Sequence, residues 1–251
     1  MKICRASSGT EEFYGILEND EVRRLEGEPF EKLTPANVVY KKEDVRLLAP
    51  ATPSKIICLG KNYYDHAKET GGEPPETPLI FLKPPSSIIS PEDGIITPQD
   101  CKRLDYEAEL AIVIKKRCKD VSMENYKDVI FGYTCLNDVT ARDIQSSDGQ
   151  WIRAKGFDTF CPFGPWIETK LDPNDLLVEC RLNGKTRQSA RTSILIHPID
   201  KLIWFISRVM TLLPGDIIAT GTPAGIGPMQ LGDTVEIEVE GIGVLRNHIV
   251  K

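Results

Sequence analysis

The chain has 251 residues, of which 41% are hydrophobic and 27% charged, and its formal net charge is −6 at pH 7. This composition is ordinary for a globular protein with one large domain, and the acidic excess argues against a nucleic-acid partner, because binding phosphates needs clustered lysine and arginine. No apolar run approaches the ~20 residues of a membrane span, so no membrane partner is predicted. The seven cysteines are scattered and form no C-x-x-C pair, which favours reduced thiols and a cytoplasmic location over disulfides or a zinc site.

The first fifty residues are predicted to form a small β domain. Apolar runs at 13–17 and 22–25 flank Glu18-Asn19-Asp20-Glu21, a pattern typical of a β-hairpin, and residues 3–5 predict a third strand. Two prolines within 48–54 interrupt any regular element, which places the domain boundary there. The predicted domains are residues 1–50 and residues 51–251.

A predicted strand at 56–59 leads into a helical stretch that contains His66 and Glu69. Residues three apart lie on one face of a helix, so these two side chains are expected to be neighbours. Residues 70–78 are rich in glycine and proline and predict a surface loop that could act as a lid over a site. A solvated helix end followed by an ordinary linker explains the same residues as simply.

The stretch 105–114 predicts a strand on which Glu107 and Glu109 point to the same face, because side chains alternate along a strand. A buried strand at 130–136 is expected to deliver Asp138 at its end. Carboxylates held side by side repel one another and are costly to bury unpaired. A hard cation such as Mg²⁺, which prefers oxygen ligands, removes that cost. An exposed strand face carrying Glu-x-Glu is a common alternative that needs no metal.

The second half of the chain predicts a hairpin, a helix and a glycine-rich loop. Asn183-Gly184 between two strand-like runs is the strongest hairpin signal, and apolar residues at helical spacing over 198–213 predict a helix with proline in its first turn. The loop 221–227 does not have the spacing of a nucleotide-binding loop, so nucleotide binding is rejected. Residues 234–240 alternate cleanly, and we interpret their three glutamates as a solvated strand face.

Several motifs occur in a fixed order between residues 56 and 227. They are Gly60 to Glu69, Phe81-Leu82-Lys83-Pro84, Asp105 to Leu110, Gly132-Tyr133-Thr134, Asn137 to Asp143, Ala154 to Asp158, Gly164-Pro165-Trp166, and Gly215 to Pro223. Together they resemble the fumarylacetoacetate hydrolase family. The resemblance implies an α+β, predominantly β fold: a mixed β-sandwich roll with few helices and a small N-terminal β domain, assembled as a homodimer.

The resemblance also implies the residues of a site. The implied metal ligands are Glu107, Glu109 and Asp138, which would hold Mg²⁺ or Mn²⁺, with Ca²⁺ also compatible. The implied catalytic residues are His66 and Glu69, as a general-base pair that activates water, and Lys155, at the substrate carboxylate or oxyanion. The implied substrate-binding residues are Lys61, Tyr63, Gln145, Thr220 and Thr222.

The expected activity is metal-dependent chemistry on a small 2-oxo acid through a stabilised enolate. Hydrolysis of the carbon–carbon bond of an acylpyruvate is the first expectation, because the His–Glu pair it needs is present. Oxaloacetate decarboxylation, or isomerisation and decarboxylation of unsaturated 2-oxo dicarboxylates such as 2-hydroxyhepta-2,4-diene-1,7-dioate, would use the same enolate. Two non-enzymatic alternatives are a catalytically silent protein that binds metal and carboxylates, and a β-rich interaction module; the latter leaves the carboxylate set unexplained.

Overall fold

The computed structural model describes all 251 residues and is built mostly of β-strands, which confirms the predicted α+β, predominantly β class. The strands are β1 (Lys2–Ser7), β2 (Glu12–Glu18), β3 (Glu21–Leu25), β4 (Pro35–Lys41), β5 (Arg46–Leu48), β6 (Ile56–Gly60), β7 (Leu79–Lys83), β8 (Ile88–Ile89), β9 (Gly94–Ile96), β10 (Leu104–Tyr106), β11 (Ala108–Ile114), β12 (Ile130–Asn137), β13 (Thr140–Ala141), β14 (Cys161–Glu168), β15 (Leu177–Leu182), β16 (Lys185–Arg191), β17 (Ile217–Ala219), β18 (Gly227–Met229), β19 (Thr234–Val239) and β20 (Gly243–Val250). The helices are α1 (Tyr64–Glu69), α2 (Arg142–Ser147), α3 (Ile152–Lys155) and α4 (Ile199–Val209). None of them is both long enough and apolar enough to span a membrane.

The main sheet has twelve strands and runs β4-β3-β2-β1-β14-β12-β11-β17-β6-β7, with β5 paired to β1 and β8 paired to β14. β1 joins the N-terminal strands to the rest of the molecule, with Ile3 opposite Ile167 of β14. The first five strands therefore extend the sheet of the larger unit. The division into domains at residue 50 stays a prediction.

Both predicted hairpins are confirmed, and both turn through residues with positive φ. In the β2–β3 hairpin, Asn19 and Asp20 have φ values of 49° and 61°. In the β15–β16 hairpin, Asn183 and Gly184 have φ values of 51° and 74°. Two-residue turns of this kind match the right-handed twist of the flanking strands, and asparagine, aspartate and glycine tolerate the left-handed conformation best.

Two smaller sheets pack against the main one. The five-stranded sheet runs β16-β15-β19-β20-β9 and the three-stranded sheet runs β13-β10-β18. On β19 the apolar residues are buried and the glutamates are not, and Glu236 is paired with Arg181 and Arg246. The prediction of a half-exposed strand over 234–240 is thus confirmed, with an ion-paired outer face.

Helix α4 covers one side of the core, where its Leu202, Ile203 and Ile206 are fully buried. The predicted helix over 198–213 is wrong at its end, because α4 stops at Val209. Beyond it the chain is extended, and the backbone of Leu212 exchanges two hydrogen bonds of 3.0 Å with Cys118. A long-range β-bridge therefore replaces the last turn that local periodicity predicts.

Four neighbouring strands bring their ends to one edge of the main sheet. β6 and β17 are parallel, so their carboxyl ends meet there. β11 runs antiparallel to both β17 and β12, so the start of β11 and the end of β12 lie at that same edge. This edge is where side chains from distant parts of the sequence converge.

Candidate active site

The carboxylates of Glu107, Glu109 and Asp138 lie at this edge, with ligand oxygens within 4.8 Å of one another. All three residues are buried, and none is more than 4% exposed. Asp138 follows the end of β12, and Glu109 is the second residue of β11. The carboxylates that the sequence suggested as a group are therefore close enough to share one ion.

The predicted continuous strand over 105–114 is interrupted at Glu107. β10 ends before it in the three-stranded sheet, and β11 begins after it in the main sheet. The Glu107 N–H donates to the Asn137 side-chain oxygen at 2.9 Å, and its carbonyl accepts from the Asp138 N–H at 2.9 Å. The Asn137 side chain thus accepts the hydrogen bond that a neighbouring strand would accept in a continuous β-ladder. These contacts fix Glu107 beside Asp138.

Buried cations neutralise two of the three carboxylates. The Lys155 ammonium donates to Glu107 at 2.7 Å and to Asp138 at 2.6 Å. Arg142 also donates to Glu107, and Lys83 donates to Asp138. Although burial alone would raise the pKa of Glu107, the charges of Lys155 and Arg142 hold this pKa below its usual value of 4.5.

Glu109 differs from the other two carboxylates, since it has no cationic partner within 4 Å. One oxygen accepts from the Gly221 N–H at 2.7 Å, while the buried Oε1 has no hydrogen-bond partner. Burial, followed by repulsion from Asp138 and Glu107, raises the pKa of Glu109 well above 4.5. Three convergent carboxylates with one orphaned oxygen fit a hard divalent cation, which takes oxygen ligands and would lower that pKa.

His66 and Glu69 lie on one face of α1, as predicted, with His66 Nδ1 3.3 Å from Glu69 Oε2. Glu69 is itself held by the Gly225 N–H, at 3.1 and 3.2 Å from its two oxygens. Burial lowers the pKa of His66 below 6.5, against the opposing influence of Glu107 and Glu69. The imidazole is therefore neutral near pH 7, the state that a general base needs.

A cavity of about 40 Å³ is lined by Glu107, His66, Arg142 and Lys155. Six of the predicted site residues line it: Lys61, His66, Glu107, Gln145, Lys155 and Thr222. The other five predicted residues do not line it: Glu69, Glu109, Asp138, Tyr63 and Thr220. Tyr63 is buried with a hydroxyl that has no partner, and the Thr220 hydroxyl donates to the Leu110 carbonyl at 2.9 Å. The predicted contacts of Tyr63 and Thr220 with substrate stay predictions.

Two basic residues beside the carboxylates were not predicted as part of the site. Arg142 lines the cavity and is fixed by the Asp105 carboxylate, by Glu107 and by Gln145. Lys83 is buried behind Asp138. Both lie inside motifs that carried the family resemblance, but a lysine or arginine in a sequence gives no sign that it will be buried.

Asn62 connects the three loops around the site. Its side chain donates to the carbonyls of His197 at 3.1 Å and Thr220 at 2.8 Å, and accepts from the His197 N–H at 2.8 Å. The His197 ring in turn lies 3.0 Å from the Pro75 carbonyl, within the glycine- and proline-rich loop at 70–78. One buried amide thus ties the turn before α1 to the loop whose Gly221 binds Glu109.

Comparison with known proteins gives two family matches. Residues 55–250 match the model described as fumarylacetoacetate (FAA) hydrolase, C-terminal, and residues 1–50 match a model described as Rv2993c-like, N-terminal.

Three relatives illustrate the range of similar proteins. The structure of a 5-carboxymethyl-2-hydroxymuconate delta-isomerase from Mycobacterium smegmatis matches with a TM-score of 0.95 and 48% identity, over 100% of this chain and 99% of that chain. The mitochondrial oxaloacetate tautomerase Fahd2a of Rattus norvegicus is 42% identical over 221 residues, which cover 83% of this chain and 71% of the relative. A maleylpyruvate hydrolase from Sphingobium sp. SYK-6, in complex with manganese (II) ion and pyruvate, matches with a TM-score of 0.82 and 33% identity, over 100% and 99% of the two chains.

Proposed function

The chain belongs to the fumarylacetoacetate hydrolase family, whose members are enzymes, and we propose that it is a divalent-metal-dependent enzyme acting on 2-oxo acids through an enolate. The observation that carries the proposal is the buried carboxylate cluster in which Glu109 keeps an oxygen without a partner. The His66–Glu69 pair beside the same cavity favours hydrolysis of the carbon–carbon bond of an acylpyruvate as the main reaction.

Glu107, Glu109 and Asp138 would hold the metal, and Mg²⁺ or Mn²⁺ suits a set of carboxylate oxygens. When bound, the metal would act as a Lewis acid that stabilises negative charge on the 2-oxo oxygen. The manganese complex of the maleylpyruvate hydrolase supports this choice.

His66 supplies the base in this mechanism. Because the Glu69 carboxylate can only accept, His66 Nδ1 carries the proton and Nε2 keeps its lone pair. Nε2 takes a proton from water, and the water oxygen adds to the carbonyl carbon of the acyl group. The bond from that carbon to the neighbouring methylene carbon breaks, its electron pair forms the pyruvate enolate, and a proton returns to the methylene carbon. The products are pyruvate and a carboxylic acid, while the Lys155 charge stabilises the developing anion.

The second candidate is proton transfer or decarboxylation at the same enolate without attack by water. The oxaloacetate tautomerase and the isomerase among the relatives support it. Oxaloacetate, or an unsaturated 2-oxo dicarboxylate of the 2-hydroxyhepta-2,4-diene-1,7-dioate type, would then be the substrate.

An ultraviolet assay separates these functions. Loss of the acetylpyruvate enol is followed in Mg²⁺, Mn²⁺ or EDTA, with oxaloacetate and an unsaturated 2-oxo dicarboxylate in parallel. Metal-dependent loss of acetylpyruvate with stoichiometric pyruvate supports the hydrolase. Turnover of only the other two compounds supports the second candidate, and metal binding without turnover of any compound contradicts both and supports a silent protein.

We also propose that the protein is a cytoplasmic homodimer. All seven cysteines are free, as is usual for a reducing compartment. Light scattering after size-exclusion chromatography tests the dimer, because a monomeric mass of 28.0 kDa would contradict it.

A further inference from the structure

Lys61 is the cation of the cavity wall that the protein does not neutralise. Three basic residues besides His66 line the cavity: Lys61, Arg142 and Lys155. Arg142 is paired with two carboxylates, and so is Lys155. Lys61 makes no ion pair within 4 Å and no hydrogen bond through its ammonium group, although it is partly buried.

The backbone places Lys61 in this position at a conformational cost. Lys61 follows the end of β6 with a φ of 56°, in the left-handed region that residues other than glycine rarely adopt. Strained residues of this kind persist where the surrounding structure holds them, and they cluster at binding sites. Here Asn62, the next residue, supplies the anchor through its bonds to His197 and Thr220.

Gly72 leaves room for the Lys61 ammonium. A Cβ atom at position 72 would overlap the Lys61 Nζ, so the glycine there lets the charged group lie under the loop at 70–78. The ammonium therefore lies against Gly72 of this loop, and no protein group accepts a hydrogen bond from it. An ammonium group that no protein carboxylate neutralises is available to make charge-assisted hydrogen bonds to an anionic ligand.

We infer that Lys61 binds a second carboxylate at the far end of the substrate, so that the enzyme selects 2-oxo dicarboxylic acids over 2-oxo acids with an uncharged end. This inference rests on the proposed function. Arg142 and Lys155 are balanced by the protein's own carboxylates, whereas the Lys61 charge would be balanced by an anion that arrives with the substrate. Selection by Lys61 is compatible with hydrolysis and with proton transfer, since it acts on a part of the substrate that does not react.

The test compares two substrates of one reaction. Acetylpyruvate ends in a methyl group, and fumarylpyruvate is an acylpyruvate whose acyl group ends in a carboxylate. We expect wild-type kcat/KM to favour fumarylpyruvate, and Lys61→Met to reduce that preference about tenfold to hundredfold, the range for one charge-assisted hydrogen bond. The loss should appear mainly in KM, and Lys61→Arg should retain most of the preference. Lys68→Met is the matched control, because Lys68 lies on α1 outside the cavity lining, with its ammonium over the Tyr64 ring.

The outcomes distinguish this inference from the proposed function. If wild-type enzyme hydrolyses both substrates but Lys61→Met leaves their ratio unchanged, the inference is wrong and the function stands. If Lys61→Arg loses the preference as fully as Lys61→Met, the charge is not what selects, and the inference is again wrong. If neither substrate is hydrolysed, calorimetric binding of 2-oxoglutarate and pyruvate decides: tighter binding of 2-oxoglutarate that Lys61→Met abolishes supports the inference alone, and equal binding overturns it.

Discussion

The sequence contains the same Glu-x-Glu pattern in two strand regions, but the two pairs of glutamates differ in burial and in their partners. At the start of β11, Glu107 and Glu109 are buried and converge with Asp138. On β19, Glu236 and Glu238 lie on the outer face, with side chains 17% and 41% exposed. Arginines from the neighbouring strands pair with the β19 glutamates. In the first group, Glu107 and Asp138 pair with Lys83, Arg142 and Lys155, and Glu109 has no cationic partner.

The comparison teaches that burial and partners, and not spacing, distinguish a metal-binding carboxylate pair from a solvated one. On β19 each glutamate can be hydrated, so ion pairs there contribute little to stability. At the site every carboxylate oxygen needs a partner, and Glu109 Oε1 has none. A buried carboxylate oxygen without a hydrogen-bond partner is therefore present at the site and absent from β19.

The largest expected effect comes from Glu109→Gln. We expect metal-dependent turnover to fall by more than about 100-fold, beyond the 10–100-fold typical of residues that only support a ligand. Mn²⁺ affinity measured by electron paramagnetic resonance should fall in parallel. The metal-free variant should be at least as stable as wild type, because the change removes a buried carboxyl group that has no cationic partner and is repelled by Asp138 and Glu107. Glu236→Gln is the matched control, and an equal loss in both variants, or none in Glu109→Gln, would remove Glu109 from the ligand set.

The candidate site and the outer sheet each contain a His–Glu pair, and comparing the two pairs gives the second test. His66 lines the cavity and contacts Glu69, while His248 on β20 lies 3.2 Å from Glu92 on the surface. We expect His66→Ala to reduce hydrolysis about 10²–10⁴-fold, the usual contribution of a general base, and to reduce decarboxylation much less. His248→Ala should change neither rate. Equal losses of hydrolysis and decarboxylation in His66→Ala would contradict the base assignment.

Buried asparagines allow a third comparison. Asn62 donates to two carbonyls at the site, and Asn247 donates to the Ser90 and Asp93 carbonyls, each at 2.9 Å, in the outer sheet. Replacing either by alanine removes one hydrogen bond from each of two carbonyls and should lower the free energy of unfolding by about 1–3 kcal/mol, measured in urea. Only Asn62→Ala should also weaken Mn²⁺ binding about 10–100-fold, because it frees the loop that binds Glu109. Equal Mn²⁺ affinity in the two variants would limit Asn62 to a structural role.

The smallest effect concerns pH. Burial lowers the pKa of His66, so the acid limb of kcat/KM for hydrolysis should lie below pH 6.5. Glu69 opposes that shift, so Glu69→Gln should move the limb to lower pH as well as reduce the maximum rate. Glu92→Gln should leave the profile in place. A limb that moves to higher pH in Glu69→Gln would show that Glu69 does not stabilise the protonated imidazole.

The same lowered pKa has a consequence for stability. Between pH 6.5 and the lower pKa of folded His66, the unfolded chain binds more protons than the folded one. The contribution of His66 to stability is therefore full above pH 6.5 and is lost as the pH falls through this window. His66→Ala should make the free energy of unfolding less dependent on pH there.

The sequence predicted those parts of the fold that depend on the conformational preferences of a few neighbouring residues. The turns at Asn19-Asp20 and Asn183-Gly184 need residues that tolerate positive φ, and both were predictable from that requirement. The end of α4 and the break at Glu107 depend on partners far away in the sequence, namely Cys118 and Asn137. Helical or strand periodicity contains no information about such partners.

The candidate site was predictable in part for the same reason. A spacing of three residues on a helix places His66 and Glu69 on the same face, so their contact could be predicted from the sequence alone. The carboxylate set and Lys155 needed the family resemblance, because spacing does not separate them from a solvated face. Arg142 and Lys83 were missed, since only the folded chain shows that these cations are buried against carboxylates.

The parallel pairing of β17 with β6 determines when the site can form during synthesis. Ile217 lies opposite Ile56. The N–H group that donates to Glu109 belongs to Gly221, which is synthesised 112 residues later. At the usual ~5–20 residues per second, a ribosome needs about 6–22 s to make that segment. Until then β11 lacks β17, and the charges of Glu107 and Glu109 keep the start of this apolar strand hydrated, which disfavours its pairing with other nascent chains. The carboxylates proposed to bind a metal in the folded enzyme would thus also protect its unfinished chain from aggregation.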